Sequence, residues 1–272
     1  MRQDASVTFV GTATTLLRLG EFTLLTDPNF LHAGEAAYLG YGLWSRRRTQ
    51  PALDIDELPD VDAVVLSHLH GDHFDRVAKA RLPRALPIVT TPSAAGRLER
   101  SWRFRNAVGL RAWSRTEFTK GDQTVRVTAV PGQHGPAGVH LLLPETIGSV
   151  IDWEVGGERR LRLYQTGDTL CRPWLREIPE RLPGIDVMLA HLGGTRVLGL
   201  LLTMDARQGA DLIELIRPAL TMPIHYDDYT VFRSPLGDFQ AEVHRRQLGH
   251  LVRPIYRGET ASLTPVGRSA QR

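Results

Sequence analysis

The stretch Ser67-His68-Leu69-His70-Gly71-Asp72-His73 sets three histidines and an aspartate within six positions, directly after the apolar run Val61–Leu66. That run is apolar almost throughout, as expected of a strand buried on both faces. In an extended segment His68 and His70 point to the same side. A tight turn at Gly71 then brings Asp72 and His73 back towards them. Imidazole and carboxylate together suit zinc, manganese or iron. Four such groups exceed what one catalytic zinc usually takes from the protein, so the segment points to two metals. The competing reading is a polar loop that happens to be rich in histidine.

Three more segments weigh against that competitor. His134 follows the apolar run Thr124–Val130 within Pro131-Gly132-Gln133-His134-Gly135. Asp168 follows Leu161–Tyr164 within Thr166-Gly167-Asp168-Thr169, and His225 follows Leu220–Ile224, whose Pro223 suits a strand edge or end. Each candidate sits just past an apolar run. Side chains at strand ends converge on one edge of a sheet, where α/β proteins commonly place their sites.

The rest of the chain supplies the frame. Val7–Val10, Thr14–Leu19 and Phe22–Thr26 read as strands, the last two joined by a turn at Gly20-Glu21. Further strand candidates are Ile88–Thr91, Val139–Leu143, Ser149–Trp153 and Ile185–Ala190. Asp205 with Gln208 three positions on resembles a capping box. Ala206, Ala210, Ile213 and Ile216 then recur at helical spacing despite Gly209, and Pro218 stops the helix. A second helix is expected from Ser234-Pro235, an N-cap and first-turn proline, to about Leu248, with Gly249 ending it. Strands interleaved with helices argue for an α/β architecture.

Composition bounds the function classes. The 272 residues show no repeat or flexible linker and are read as a single domain spanning 1–272. No apolar run approaches the ~20 residues of a membrane span, and no secretory signal opens the chain. The one cysteine, Cys171, forbids an intrachain disulfide and fits a cytoplasmic location. The net charge is +3, and Arg46, Arg47 and Arg48 form the densest basic cluster. That is no basic patch of the kind nucleic-acid binding needs, so a nucleic-acid partner is not expected. Serine-hydrolase, HExxH and phosphate-loop motifs are absent.

With these motifs in this order, the chain resembles the metallo-β-lactamase superfamily over nearly its whole length. The resemblance implies an αββα sandwich, two mixed sheets face to face with helices outside. Carried over by position, His68, His70 and His134 bind one metal, Asp72, His73 and His225 the other, and Asp168 bridges both. Gly11-Thr12-Ala13-Thr14, Leu25-Thr26-Asp27-Pro28 and Gly167-Asp168-Thr169 are similar to the branch of L-ascorbate-6-phosphate lactonase and N-acyl-phosphatidylethanolamine phospholipase D, although Thr12 stands where that branch often has histidine. Asp27 matches a position the family places near its metals.

The implied activity is hydrolysis of an ester, lactone or phosphodiester on a small-molecule or lipid-like substrate. Two divalent ions, with zinc expected before manganese or iron, would hold a hydroxide at neutral pH and polarise the substrate oxygen. Asp72 is also a candidate proton acceptor. The rival from another class is a non-catalytic metal-dependent sensor or scaffold. Beyond the ligand set, His191 ends an apolar run and is read either as a substrate contact or as a buried hydrogen-bonding histidine. Phe30–Gln50 reads as a long irregular rim in which an arginine meets an anionic substrate or the aromatics anchor the loop. Oligomeric state is not readable. His68→Ala and Asp168→Ala should each abolish metal uptake and activity together while circular dichroism shows the fold retained. Full activity in a metal-free His68→Ala protein would refute the metal mechanism.

Overall fold

The computed structural model describes residues 4–263; residues 1–3 and 264–272 of the expected 1–272 unit lie outside them. Alternation along the strands decides the layers. Val7, Phe9, Leu17, Leu19, Phe22, Leu24, Ala63 and Val65 join one apolar cluster with Val125, Val127, Ile151 and Leu163. Their neighbours Val10, Leu16, Leu25, Val64 and Ile88 join a second cluster with Ala78, Leu82 and Leu98. A period of two therefore gives each strand one face for a second sheet and one for helices.

The first sheet has seven strands in the order Thr260–Ser262, Ala5–Gly11, Thr14–Leu19, Phe22–Thr26, Ala63–Val65, Ile88–Thr90, Ala107–Gly109. The second has six, in the order Leu220–Ile224, Val187–His191, Glu158–Gln165, Ile147–Val155, Gln123–Pro131, Arg115–Lys120. Both mix parallel and antiparallel pairs. Helices Arg76–Arg81 and Pro92–Trp102 contribute to the cluster on the outer face of the first sheet. Helices Ala206–Ile216 and Leu236–Arg245 pack on the core of the second through Leu212, Ile213, Phe239 and Val243. The expected α/β sandwich is the observed fold. Among the described residues no helix is long and apolar enough to cross a membrane.

Several elements match closely. Thr14–Leu19 and Phe22–Thr26 are strands, and Asp205 caps Ala206–Ile216 by accepting the Gln208 N–H at 3.1 Å. Gly209 is tolerated within that helix because a Cβ there would lie 2.6 Å from Leu192 Cδ2, so the helix can approach the sheet only without a side chain.

Other expectations are corrected. Val139–Leu143 is not a strand; Val139–Leu141 forms a 3-10 turn with Leu141 and Leu142 exposed. Its apolar character comes from lining a cavity, not from a sheet. Phe30–Gln50 is not irregular throughout, since Ala36–Gly40 and Leu43–Arg46 pair as a hairpin. Ser234 does not cap its own helix. Its hydroxyl accepts the Ala206 N–H at 2.9 Å and so serves the other helix, while Pro235 takes the cap position. That helix ends at Arg245, where Gln247 rather than Gly249 adopts a left-handed backbone. Sequence reading missed helices Arg76–Arg81 and Pro92–Trp102, capped by Asp75 and Thr91. Arg76–Arg81 has only six residues, too few turns to show a clear 3.6-residue period, and Pro92–Trp102 buries only two alanines and Leu98, a weak apolar stripe.

Leu24 is fully buried between the sheets. Leu24→Ala should lower unfolding stability by about 2–5 kcal/mol, read from urea denaturation.

Candidate metal centre

The residues that follow strand ends meet in one place. Ser67 to His73 leave Ala63–Val65, His134 leaves Gln123–Pro131, Asp168 leaves Glu158–Gln165, and His225 leaves Leu220–Ile224. All seven expected ligands are buried. Nitrogen and oxygen atoms of His68, His70 and His134 lie within 4.8 Å of one another, and so do those of Asp72, His73 and His225. Asp168 groups with His68 and His73, one residue from each set, which places it between them. The two sets and the intermediate carboxylate are the arrangement expected from the sequence.

Local structure explains the convergence. The His73 and Phe74 N–H groups both donate to the His70 carbonyl, closing the expected turn. Gly71 serves that turn for a different reason from the one anticipated. A Cβ there would lie 2.8 Å from the backbone N and O of Tyr38, so the glycine admits the Ala36–Arg46 hairpin against the motif.

Four of the five rings are oriented from behind. His134 Nδ1 lies 2.9 Å from the Leu202 carbonyl and His225 Nδ1 3.1 Å from the Leu192 carbonyl. His68 Nδ1 lies 3.0 Å from Ser67 Oγ, and His73 Nδ1 3.1 Å from Asp27 Oδ2. A ring nitrogen that donates to a carbonyl or carboxylate leaves the other with a lone pair for a cation. The forward atoms face one another at short range. His68 Nε2 is 2.9 Å from His70 Nδ1, His73 Nε2 is 3.1 Å from His225 Nε2, and His73 Nε2 is 3.3 Å from Asp168 Oδ2. Asp72 Oδ1, Asp168 Oδ1 and His70 Nε2 are buried without a partner. Orphaned carboxylate oxygens beside converging imidazoles are a donor set for divalent cations, and the residues present fit such ions.

Electrostatics divides the cluster. Burial, reinforced by His73 and His70, holds His68 well below an ordinary imidazole pKa. Burial and the neighbouring His134 push His70 down to about 3. His134 is likewise lowered by burial. For His73 burial works the other way from the outcome: the carboxylates of Asp168, Asp72 and Asp27 overcome it and raise the pKa well above the usual value. His225 is raised against burial by Asp168 and its bond to Asp72. Burial would raise Asp168, but His225 and His73 hold it well below the carboxylate range.

His191 is buried and does not line the cavity above the cluster; its contacts are those of a buried hydrogen-bonding histidine. Its Nε2 lies 3.3 Å from Asp27 Oδ2, and its Nδ1 3.2 Å from Thr166 Oγ1. Asp27 also accepts from Ser67 N, Ser67 Oγ and Gln165 Nε2, at 2.6, 3.0 and 3.0 Å. Burial raises the Asp27 carboxyl, yet His73 and His191 bring it down to about 2. Ser67 and Gln165 were missed in the sequence; a glutamine ending the strand Glu158–Gln165, just before Thr166-Gly167-Asp168, was the available signal. None of the three clustered arginines lines the cavity, and Arg46 and Arg48 are exposed. Arg47 is buried on the Asn29 carbonyl and side chain, 3.7 Å from Asp228, because that pair needs its charge inside the fold.

Comparison with known proteins agrees with this geometry. The family model described as "Beta-lactamase superfamily domain" matches residues 24–226. The chain is 28% identical over 261 residues to a UPF0173 metal-dependent hydrolase of Carboxydothermus hydrogenoformans, covering 94% of this chain and 99% of that one. It is 26% identical over 234 residues to N-acyl-phosphatidylethanolamine-hydrolyzing phospholipase D 1 of Caenorhabditis elegans, which covers 82% of this chain and 64% of the relative's length. A solved structure, a possible metal-dependent hydrolase from Veillonella parvula, superimposes with TM-score 0.79 at 22% identity, covering 95% of this chain and 99% of the other.

The raised pKa values of His73 and His225 have a consequence for cation uptake. The neighbouring carboxylates shift both towards the protonated form, and a proton on a ligating nitrogen must leave before a cation can bind there. Apparent affinity should therefore rise with pH, with protons released on binding; chelator competition at pH 6 and 8, together with titration calorimetry in two buffers, measures both.

Proposed function

Because the chain belongs to the β-lactamase superfamily, we propose that it is a metal-dependent hydrolase working through two cations. His68, His70 and His134 would hold one, Asp72, His73 and His225 the other, with Asp168 shared between them. Divalent ions of the zinc, manganese or iron class supply Lewis acidity and an ionised water nucleophile at such a centre. The scissile group is an ester, lactone or phosphodiester, in keeping with relatives named as hydrolases of unspecified or phospholipid substrates.

The chain's own side chains do the rest. Asp72 and Asp168 form part of the floor of the cavity, so both carboxylates face the substrate space. Asp72 Oδ1 has no partner and is the atom that accepts a proton and passes it to the leaving group. Asp27 and the Leu192 and Leu202 carbonyls keep His73, His225 and His134 in the tautomer that presents a lone pair. The apolar lining of the cavity lowers the polarity around the reacting face.

One observation carries this reading: seven buried ligating side chains, with carboxylate oxygens left unpaired at the bottom of an open cavity. A centre that only had to sense or scaffold would not need carboxylates facing a cavity large enough for a substrate. Dialysis against a chelator should abolish hydrolysis of a lactone, thioester and phosphodiester panel. Zinc or manganese should restore it to at least one class. A metal-loaded protein inert towards every class would favour the sensor reading instead.

A further inference from the structure

Above the floor formed by His70, Asp72, His134 and Asp168 lies a cavity of about 480 Å³. That is within the range of about 300–1,000 Å³ found for small-molecule sites. Three segments build its walls. Leu39 and Leu43 come from the Ala36–Arg46 hairpin, Val139 and Leu143 from the turn after Gly138, and Val197 and Leu202 from the Arg196–Leu201 hairpin and its end. Apart from the floor, the polar wall groups among the described residues are Thr195 and the Tyr41 hydroxyl. The hydroxyl is already committed, donating to the Leu142 carbonyl across the mouth.

No lysine or arginine lines the cavity among the described residues. Of the nearby basic groups, Arg47 is buried on Asn29, and Arg196 pairs with Asp205 at 3.3 Å. Nine large apolar side chains are exposed on the described surface, and eight of them sit on the same three segments, Leu198 being 97% exposed. Such a concentration around one opening marks a site of apolar binding, not scattered surface residues.

The geometry points to a subsite for an uncharged alkyl or aryl arm of the substrate, with the scissile group at the floor. The inference rests on the hydrolytic reading and narrows it to carboxylic esters, thioesters and lactones. A charged arm would lose its water against these walls and meet no counter-charge. Along an apolar arm each methylene leaves water for a wall that is already dry. The step itself needs only water. Its oxygen bonds to the acyl carbon, the bond from that carbon to the leaving oxygen or sulfur breaks with its electron pair, and the water proton ends on the leaving group.

The test uses the metal-loaded protein and 4-nitrophenyl acetate, butyrate and octanoate, beside bis(4-nitrophenyl) phosphate. kcat/KM should rise by about tenfold for every two methylenes until the cavity is filled, and should exceed that for the phosphodiester. Leu43→Asp and Val197→Asp, on opposite walls, should each flatten the series, with metal content and circular dichroism checked for both. Esters hydrolysed without regard to length, or a preference for the phosphodiester, would overturn the subsite and leave the hydrolytic reading standing. If nothing is hydrolysed, the hydrolytic reading fails and the subsite is judged by binding alone. 1-Octanol should then raise the melting midpoint of the native protein but not of the two variants. Absence of that shift overturns the subsite as well.

Discussion

Bringing five imidazoles and two carboxylates into one dry space is the constraint on which the rest of the molecule depends. Each of these groups loses its water on burial, and their forward atoms approach within about 3 Å of one another. Such a cluster persists only if the surroundings hold every ring in place. Here the holding groups are main-chain carbonyls at Leu192 and Leu202 and the Asp27 carboxylate. The Asp27 carboxylate in turn is held by Ser67, Gln165 and His191. The two sheets supply rigid strand ends for these contacts, which loops alone would not.

The same cluster explains the division of charge. His68, His70 and His134 are driven towards the neutral form by burial and by each other. His73 and His225 sit beside Asp72 and Asp168, whose charges raise both against burial, with Asp27 adding to the effect on His73. One half is thus a neutral nitrogen set and the other a mixed nitrogen and oxygen set. Asp168 lies between the halves, its Oδ2 3.3 Å from His73 Nε2 and 4.0 Å from His134 Nε2.

Above this polar floor the walls change character abruptly. Segments that are apolar without being buried, such as Val139–Leu143, pack no sheet and cap no helix. Their composition makes sense only as the lining and rim of the cavity. The floor is built from residues at strand ends, whereas the walls come from hairpins and turns outside the two large sheets.

Local pattern in the sequence determined a good part of this. Short apolar runs either side of a turn at Gly20-Glu21 marked Thr14–Leu19 and Phe22–Thr26, a capping residue marked Ala206–Ile216, and closely spaced histidines after an apolar run marked the candidate metal centre. All of these are short-range signals, carried by neighbours along the chain. The seven candidate ligands were legible because each directly follows a strand. What only the tertiary structure decided depends on groups distant in sequence. Ser234 caps a helix that begins 28 residues before it, Arg47 is buried on Asn29 and Asp228, and His191 turns to Asp27. Val139–Leu143 looked like a strand because a cavity wall and a sheet interior select the same side chains. Residue type records that a surface avoids water, and only the packed chain shows whether protein or substrate covers it.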